Sequence, residues 1–194
     1  MSEMTDREKA REEQRKTDEE IGRSETSVKI YQRVILAIII FIIIIWLLFF
    51  VFIGITVCPT NDMYPRVDYG DLVLYYRLED RIKAQDVVVA EKALPESTVK
   101  DRFVLRVVAK QGDSVDISDD GRLIINGHGV TETNIDQKTE KYTGFTDYPV
   151  TLGEGEYFLL ADKRDGGCDS RTFGVVKRDE ILGVAITITR RNTL

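Results

Sequence analysis

Apolar and polar positions divide this chain into three stretches of different character. Residues 1–33 show no apolar periodicity, and side chains of both charges are mixed throughout. From Val34 to Val57 there are 24 residues without a charge, dominated by Ile, Leu, Phe and Val, with Trp46 inside and Gly54 and Thr56 near the end. About 20 such residues suffice to cross a hydrocarbon core of roughly 30 Å. A buried core helix rarely runs this long without a polar face, and a cleaved secretory signal is shorter and closer to the start. The pattern predicts a charged tail over 1–33, disordered or transiently helical, then a membrane-spanning helix over 34–57.

Beyond residue 58 the pattern changes to short apolar runs separated by Gly and Asp. Runs at 71–76, 86–90, 103–108, 114–117, 122–125, 157–160 and 181–188 read as strands. Asn126-Gly127 is a strong hairpin dipeptide, because both central turn positions take positive φ. The stretch 131–149 is polar with isolated aromatics and reads as an excursion from the sheet. The expected fold class is therefore mainly β: a single β domain over 58–194 preceded by one transmembrane α-helix.

Charge adds an orientation. Lys29 and Arg33 lie just before the apolar run, and residues 58–62 after it carry no Lys or Arg. The positive-inside rule predicts a cytoplasmic N-terminus and an extracytoplasmic β domain. The residues after the tail hold 19 Lys/Arg and 24 Asp/Glu, a mildly acidic balance with no basic field suited to nucleic acid. The single histidine, His128, sits in the hairpin, and no His/Cys cluster suggests a metal or other cofactor. Cys58 and Cys168 are the only cysteines, and a disulfide between them is left open.

Five blocks then fall in order. They are Asn61-Asp62-Met63-Tyr64-Pro65 with Gly70-Asp71, Gln85-Asp86-Val87-Val88-Val89, Leu105-Arg106-Val107-Val108-Ala109-Lys110-Gln111-Gly112-Asp113, Ile125-Asn126-Gly127, and the run from Ala161 through Asp162, Lys163, Arg164, Asp169, Ser170, Arg171 and Phe173 to Gly174. Together they resemble the type I signal peptidases (family S26) over nearly all of 34–190. The resemblance implies a membrane-tethered β-fold with a peptide groove at the outer membrane surface, cleaving signal peptides with a serine nucleophile and a lysine base. Here the serine place holds Asp62, the lysine place Leu105, the place of an accessory serine Gly167, and a glycine place Gln85. Asp62 has no hydroxyl, Leu105 cannot take a proton, and Gly167 cannot hydrogen-bond a base. The residues matching the scaffold include Arg106, Asp162, Arg164, Asp169, Ser170 and Arg171, and the resemblance implies that the acidic and arginine residues of the last block brace the site, with Asp169 and Arg171 paired.

The resemblance thus implies a non-catalytic subgroup whose members assist sortase-linked pilus assembly in Gram-positive bacteria. The expected groove residues are Asp62, Met63, Tyr64, Pro65 and Leu105, and the expected partner is an extended peptide or pilin subunit. The competing expectation is an active signal peptidase with unusual chemistry. Its candidate groups are Asp62 paired with Asp162, Asp165 or Asp169 as an aspartic dyad, or Cys58 as nucleophile. Lys163 is also placed to form a salt bridge with Asp62. Lys100 and Lys110 lie five positions either side of Leu105, on the opposite face of an extended strand.

Overall fold

The computed structural model describes residues 2–95, 97–132, 135, 137–142 and 145–191; of residues 2–7 and 18–27 only the backbone is described. It divides into two units, Met1–Phe49 and Phe50–Leu194.

The first unit is helical. Helix α1 runs from Ser2 to Phe52, so the charged stretch expected to be disordered or transiently helical is helix. Glu12 and Lys16 lie 3.5 Å apart one turn from each other on an exposed face, a pair worth only a few tenths of a kcal/mol, roughly. The segment Val28–Phe52 is apolar and wholly unburied. Its 25 residues, at about 1.5 Å each, are long enough to cross a bilayer.

The helix ends five residues earlier than the hydropathy pattern indicated. Ile53–Val57 form strand β1 instead, paired antiparallel with β2 (Leu72–Tyr76) from Ile53↔Tyr76 to Val57↔Leu72. Sequence explains the change. Four of the five β1 residues, Ile53, Ile55, Thr56 and Val57, are β-branched, which suits a strand. Gly54 is required by packing: a Cβ there would lie 2.2 Å from the ring of Tyr75.

The remaining strands are β3 (Val87–Ala93), β4 (Lys100–Lys110), β5 (Ser114–Ile117), β6 (Leu123–Ile125), β7 (His128–Gly129), β8 (Val150–Thr151), β9 (Glu156–Leu160), β10 (Val176–Lys177) and β11 (Ile181–Thr189). A one-turn helix α2 (Ser170–Phe173) follows β9. One antiparallel sheet has the order β1-β2-β11-β3-β4-β9-β10, and a smaller one β7-β6-β5-β8. The β5–β6–β7 meander turns at Asn126 and Gly127, with φ of 53° and 78°, as the dipeptide predicts. His128 is exposed there.

Strand β4 organises the core through its period of two. Phe103, Leu105 and Val107 point into one cluster with Val88, Leu159 and Val176. Val104 faces another, with Met63, Val67, Val73 and Tyr75. A third cluster, around Val115, Ile117, Phe158 and Leu160, underlies the smaller sheet. The excursion 131–149 contains no helix or strand among its described residues, and residues 133, 134, 136, 143 and 144 lie outside them. Its Tyr142 packs 4.2 Å from the Arg171 guanidinium, so it covers the segment after β9 rather than leaving the domain.

A buried carboxylate where two loops meet

Asp62 lies in the turn after β1, where Val67 N–H donates to the Met63 carbonyl at 3.0 Å. Its carboxylate is buried. Oδ2 accepts a hydrogen bond from the Thr60 hydroxyl at 2.6 Å, and Oδ1 accepts one from the Cys168 backbone N–H at 3.3 Å. Its carbonyl oxygen accepts from Lys163 N–H at 2.8 Å. Asp62 therefore clasps the turn after β1 to the segment after β9 through two hydrogen bonds, and the third, from Thr60, is within the turn. Lys163 reaches it through the main chain and makes no salt bridge to it.

Leu105 and Met63 are fully buried, whereas Tyr64 and Pro65 are exposed. Of the five residues expected to line a groove, only these last two face solvent. Leu105 belongs to the apolar cluster of β3, β4 and β9, and Cys168 packs against that same cluster. Cys168 thus joins the Asp62 carboxylate to the Leu105 neighbourhood. Gly167 is buried and tight: a Cβ would stand 2.5 Å from the Lys163 carbonyl oxygen and 2.6 Å from the Ala161 Cβ. A serine does not fit there without moving backbone.

The neighbouring charges are committed elsewhere. Arg106 binds Asp162 as a two-pronged pair, Nε to Oδ1 at 2.7 Å and an Nη to Oδ2 at 2.6 Å, and its other Nη donates to the Gln85 carbonyl at 2.9 Å. The Asp162 hydrogen bond holds the Arg106 pKa above its ordinary value. Gln85, in the glycine place, has φ of 76°, a conformation that glycine adopts freely and glutamine does not.

Asp169 caps α2 and is fully buried with Arg171. Its carboxylate accepts from Arg171 Nε and Nη2 at 2.9 and 2.8 Å, from Arg171 N–H and from Ala161 N–H. Ser170 Oγ accepts from Leu159 N–H at 3.0 Å. Arg164 is buried against Glu132, with its Nε and one Nη lacking a partner. Asp162 and Asp169 therefore neutralise arginines, and Asp165 is exposed. Among the described residues no second carboxylate meets Asp62, which removes the aspartic dyad.

Neither thiol is disposed towards the thiolate form. Both cysteines are free. Cys58 is buried and donates to the Thr60 carbonyl at 3.2 Å, and burial pushes its pKa up. Cys168 is pushed up to about 11, first by burial and then by the charges of Asp62, Asp169 and Asp101. Lys100 and Lys110 are exposed at the two ends of β4. Sequence reasoning missed Thr60, whose hydroxyl is the one in contact with the Asp62 carboxylate. Its only sequence signal is a position two residues before Asp62.

The profile of the family described as "Signal peptidase, peptidase S26" matches residues 31–189. The chain belongs to the S26 signal peptidase family. The relatives it resembles include a probable signal peptidase I-2 from Synechocystis, 30% identical over 132 residues covering 66% of this chain and 58% of that protein. Signal peptidase I T of Bacillus subtilis is 30% identical over 135 residues, covering 64% of this chain and 67% of that one. The matched part therefore spans little more than half of the Synechocystis protein. A crystal structure of a signal peptidase I from Enterococcus faecalis aligns at 26% identity and a TM-score of 0.42, covering 56% of this chain and 98% of that one. The S26 family thus takes in both the β domain and most of the apolar helix, which fits a membrane anchor.

Proposed function

We propose that this member of the S26 family is a membrane-anchored, non-catalytic protein that binds an extended peptide or pilin subunit and assists sortase-dependent pilus assembly. The observation that carries the reading is Asp62. In the serine place of the family box stands a carboxylate, buried and held by Thr60 and Cys168. In the lysine place stands Leu105, sealed in the core. Asp62 has no hydroxyl with which to attack a carbonyl, and Leu105 cannot take a proton from a nucleophile. The bracing pairs Arg106–Asp162 and Arg171–Asp169 remain, so the frame persists while the reacting groups are gone. Tyr64 and Pro65 stay accessible, and β1 is an edge strand of the larger sheet. An extended peptide can add to such an edge by main-chain hydrogen bonds, with side-chain pockets setting selectivity. Lys29 and Arg33 orient the anchor with its N-terminus in the cytoplasm and the β domain outside.

One observation favours the competing reading, an active peptidase. The Thr60 hydroxyl donates to the Asp62 carboxylate at 2.6 Å, the geometry of a nucleophile and its base. A carboxylate is nevertheless a far weaker base than a buried neutral lysine. The full chain, purified in detergent, is incubated with a labelled exported preprotein beside Thr60→Ala and Asp62→Ala. No cleavage by any of the three supports the non-catalytic reading. Cleavage at a defined site by the wild type, abolished in both variants, establishes the Thr60–Asp62 peptidase instead. For the partner, a photo-crosslinker in place of Tyr64 in cells is expected to capture a pilin. Normal pilus polymerisation by a Tyr64→Arg strain would sink the peptide-binding role.

A further inference from the structure

An open cleft of about 540 Å³ lies between the loop that joins β2 to β3 and the paired ends of β4 and β9. Its volume falls in the range of small-molecule sites, roughly 300–1,000 Å³. Neither Asp62 nor Leu105 lines it. The loop's sequence explains much of the lining. Ile82 is buried in the cluster of β3, β4 and β9, which pins the middle of the loop. Its neighbours Arg81 and Lys83 are exposed and line the cleft. The loop is fixed around them. Arg81 N–H donates to a Glu79 carboxylate oxygen at 3.0 Å, Lys83 N–H to an Asp86 carboxylate oxygen at 2.8 Å, and Arg178 Nη2 to the Glu79 carbonyl at 2.8 Å.

Lys110, which pairs with Tyr157 across β4 and β9, adds a third cation to the lining. Among the described residues no carboxylate forms an ion pair with any of the three. Asp80 is the one acid in the lining, so three positive charges stand against one negative in a chain of net charge −6. Glu79, Asp86 and Asp113 lie outside the lining, and each accepts a main-chain N–H from Arg81, Lys83 or Lys110. Tyr157 gives a second, independent sign. It lines the cleft, is 9% exposed, packs in the same cluster as Ile82, and makes no hydrogen bond through its hydroxyl among the described residues. A tyrosine buried this far normally finds a partner for its hydroxyl, and the cleft is the side left to supply one.

We propose that this cleft binds a small, soluble phosphomonoester, its phosphate held by Arg81, Lys83 and Lys110 with the Tyr157 hydroxyl donating to one oxygen. A guanidinium supplies a two-pronged donor for phosphate and the ammonium groups supply point charges. A phosphomonoester carries a charge of about −1.5 to −2 at pH 7, which matches the excess of two positive charges in the lining. A singly charged carboxylate leaves one of them unmet. The site is independent of the peptide-binding reading above, because it shares no residue with the Asp62 box.

The test titrates the full chain, in a detergent free of phosphate, with glycerol phosphate at fixed ionic strength. Binding is read from the phosphorus NMR linewidth of the ester, and circular dichroism checks that each variant is folded. The wild type is expected to bind with a Kd on the order of 1 mM or tighter. Arg81→Gln/Lys83→Gln should weaken binding roughly tenfold, and Tyr157→Phe by roughly threefold. Lys100→Gln/Lys138→Gln removes the same charge outside the cleft and should leave binding unchanged. No broadening with the wild type up to about 20 mM ester overturns the site. Equal weakening by the two double variants reduces the effect to net charge and overturns it as well. Full-strength binding by folded Tyr157→Phe overturns the part given to the hydroxyl. Displacement of the ester by equimolar acetate overturns the choice of phosphate, and a short-chain phosphatidic acid that outcompetes the soluble ester overturns the soluble source.

Discussion

Gln85 shows how one residue can record the frame into which it has been placed. Its φ of 76° lies in the region that glycine occupies without strain. Its carbonyl accepts from Arg106 and its N–H donates to the Val107 carbonyl at 2.7 Å, so the backbone is pinned there. Gln85→Gly keeps both hydrogen bonds and relieves the strain, against the extra chain entropy that glycine loses on folding. The net expectation is a gain of up to about 1 kcal/mol, read as a higher Tm. A lower Tm would mean that the glutamine side chain contributes more than its backbone costs. Cys168 makes a pH prediction. Its pKa is raised from 9.0 to about 11 in the folded chain. Between those values the unfolded state has lost the thiol proton and the folded state retains it. Unfolding then releases a proton, so this group's contribution is intact below about pH 9 and is lost as pH rises towards 11. The stability difference between wild type and Cys168→Ala should therefore change across that window and be flat between pH 6 and about 8. A thiol-specific alkylating reagent should likewise react slowly with folded Cys168 near neutrality.

At the scale of elements, the junction between α1 and β1 is decided by a close approach. Tyr75, buried on β2, lies with its ring against Gly54 on one side and Gly183 of β11 on the other: a Cβ would stand 2.2 Å from the ring at Gly54 and 2.7 Å from it at Gly183. Gly54→Ala overpacks this contact and should cost about 1–3 kcal/mol. Gly54→Ala/Tyr75→Leu should recover much of that loss, because the leucine has no ring to collide. Equilibrium unfolding of the two single variants and the double variant would measure the coupling. Additive effects would show that Gly54 is needed for its backbone and not for Tyr75. The brace at α2 is a different kind of element. Four donors converge on the Asp169 carboxylate, so its removal leaves a buried guanidinium as well as lost bonds.

At the scale of the whole molecule, the two altered positions face different environments, and so does any attempt to restore them. Asp62→Ser exchanges a clasped carboxylate for a hydroxyl in the same turn, whereas Leu105→Lys puts an amine into an apolar cluster that will hold it neutral. In Asp62→Ser/Leu105→Lys, with Gly167 left as glycine because a Cβ does not fit, preprotein cleavage is the expected gain. A folded double variant that cleaves nothing would mean that the serine and lysine places no longer face each other. Much of this molecule is legible in its sequence. The strands at 72–76, 87–93 and 181–189 and the Asn126-Gly127 hairpin announce themselves through β-branched runs and turn residues, since local periodicity and backbone preference act over a few residues. The order of the blocks around Asp62, Arg106 and Asp169 marks the family for the same reason. Strand β1 was hidden inside the apolar run, because hydropathy cannot distinguish a lipid-facing helix from a strand built of the same residues. The burial of Leu105 and Met63 and the clasp of Asp62 by Thr60 and Cys168 were decided only by tertiary structure. They depend on which strands become neighbours and in what register, and those pairings join residues as far apart as 62 and 168 that no local pattern connects.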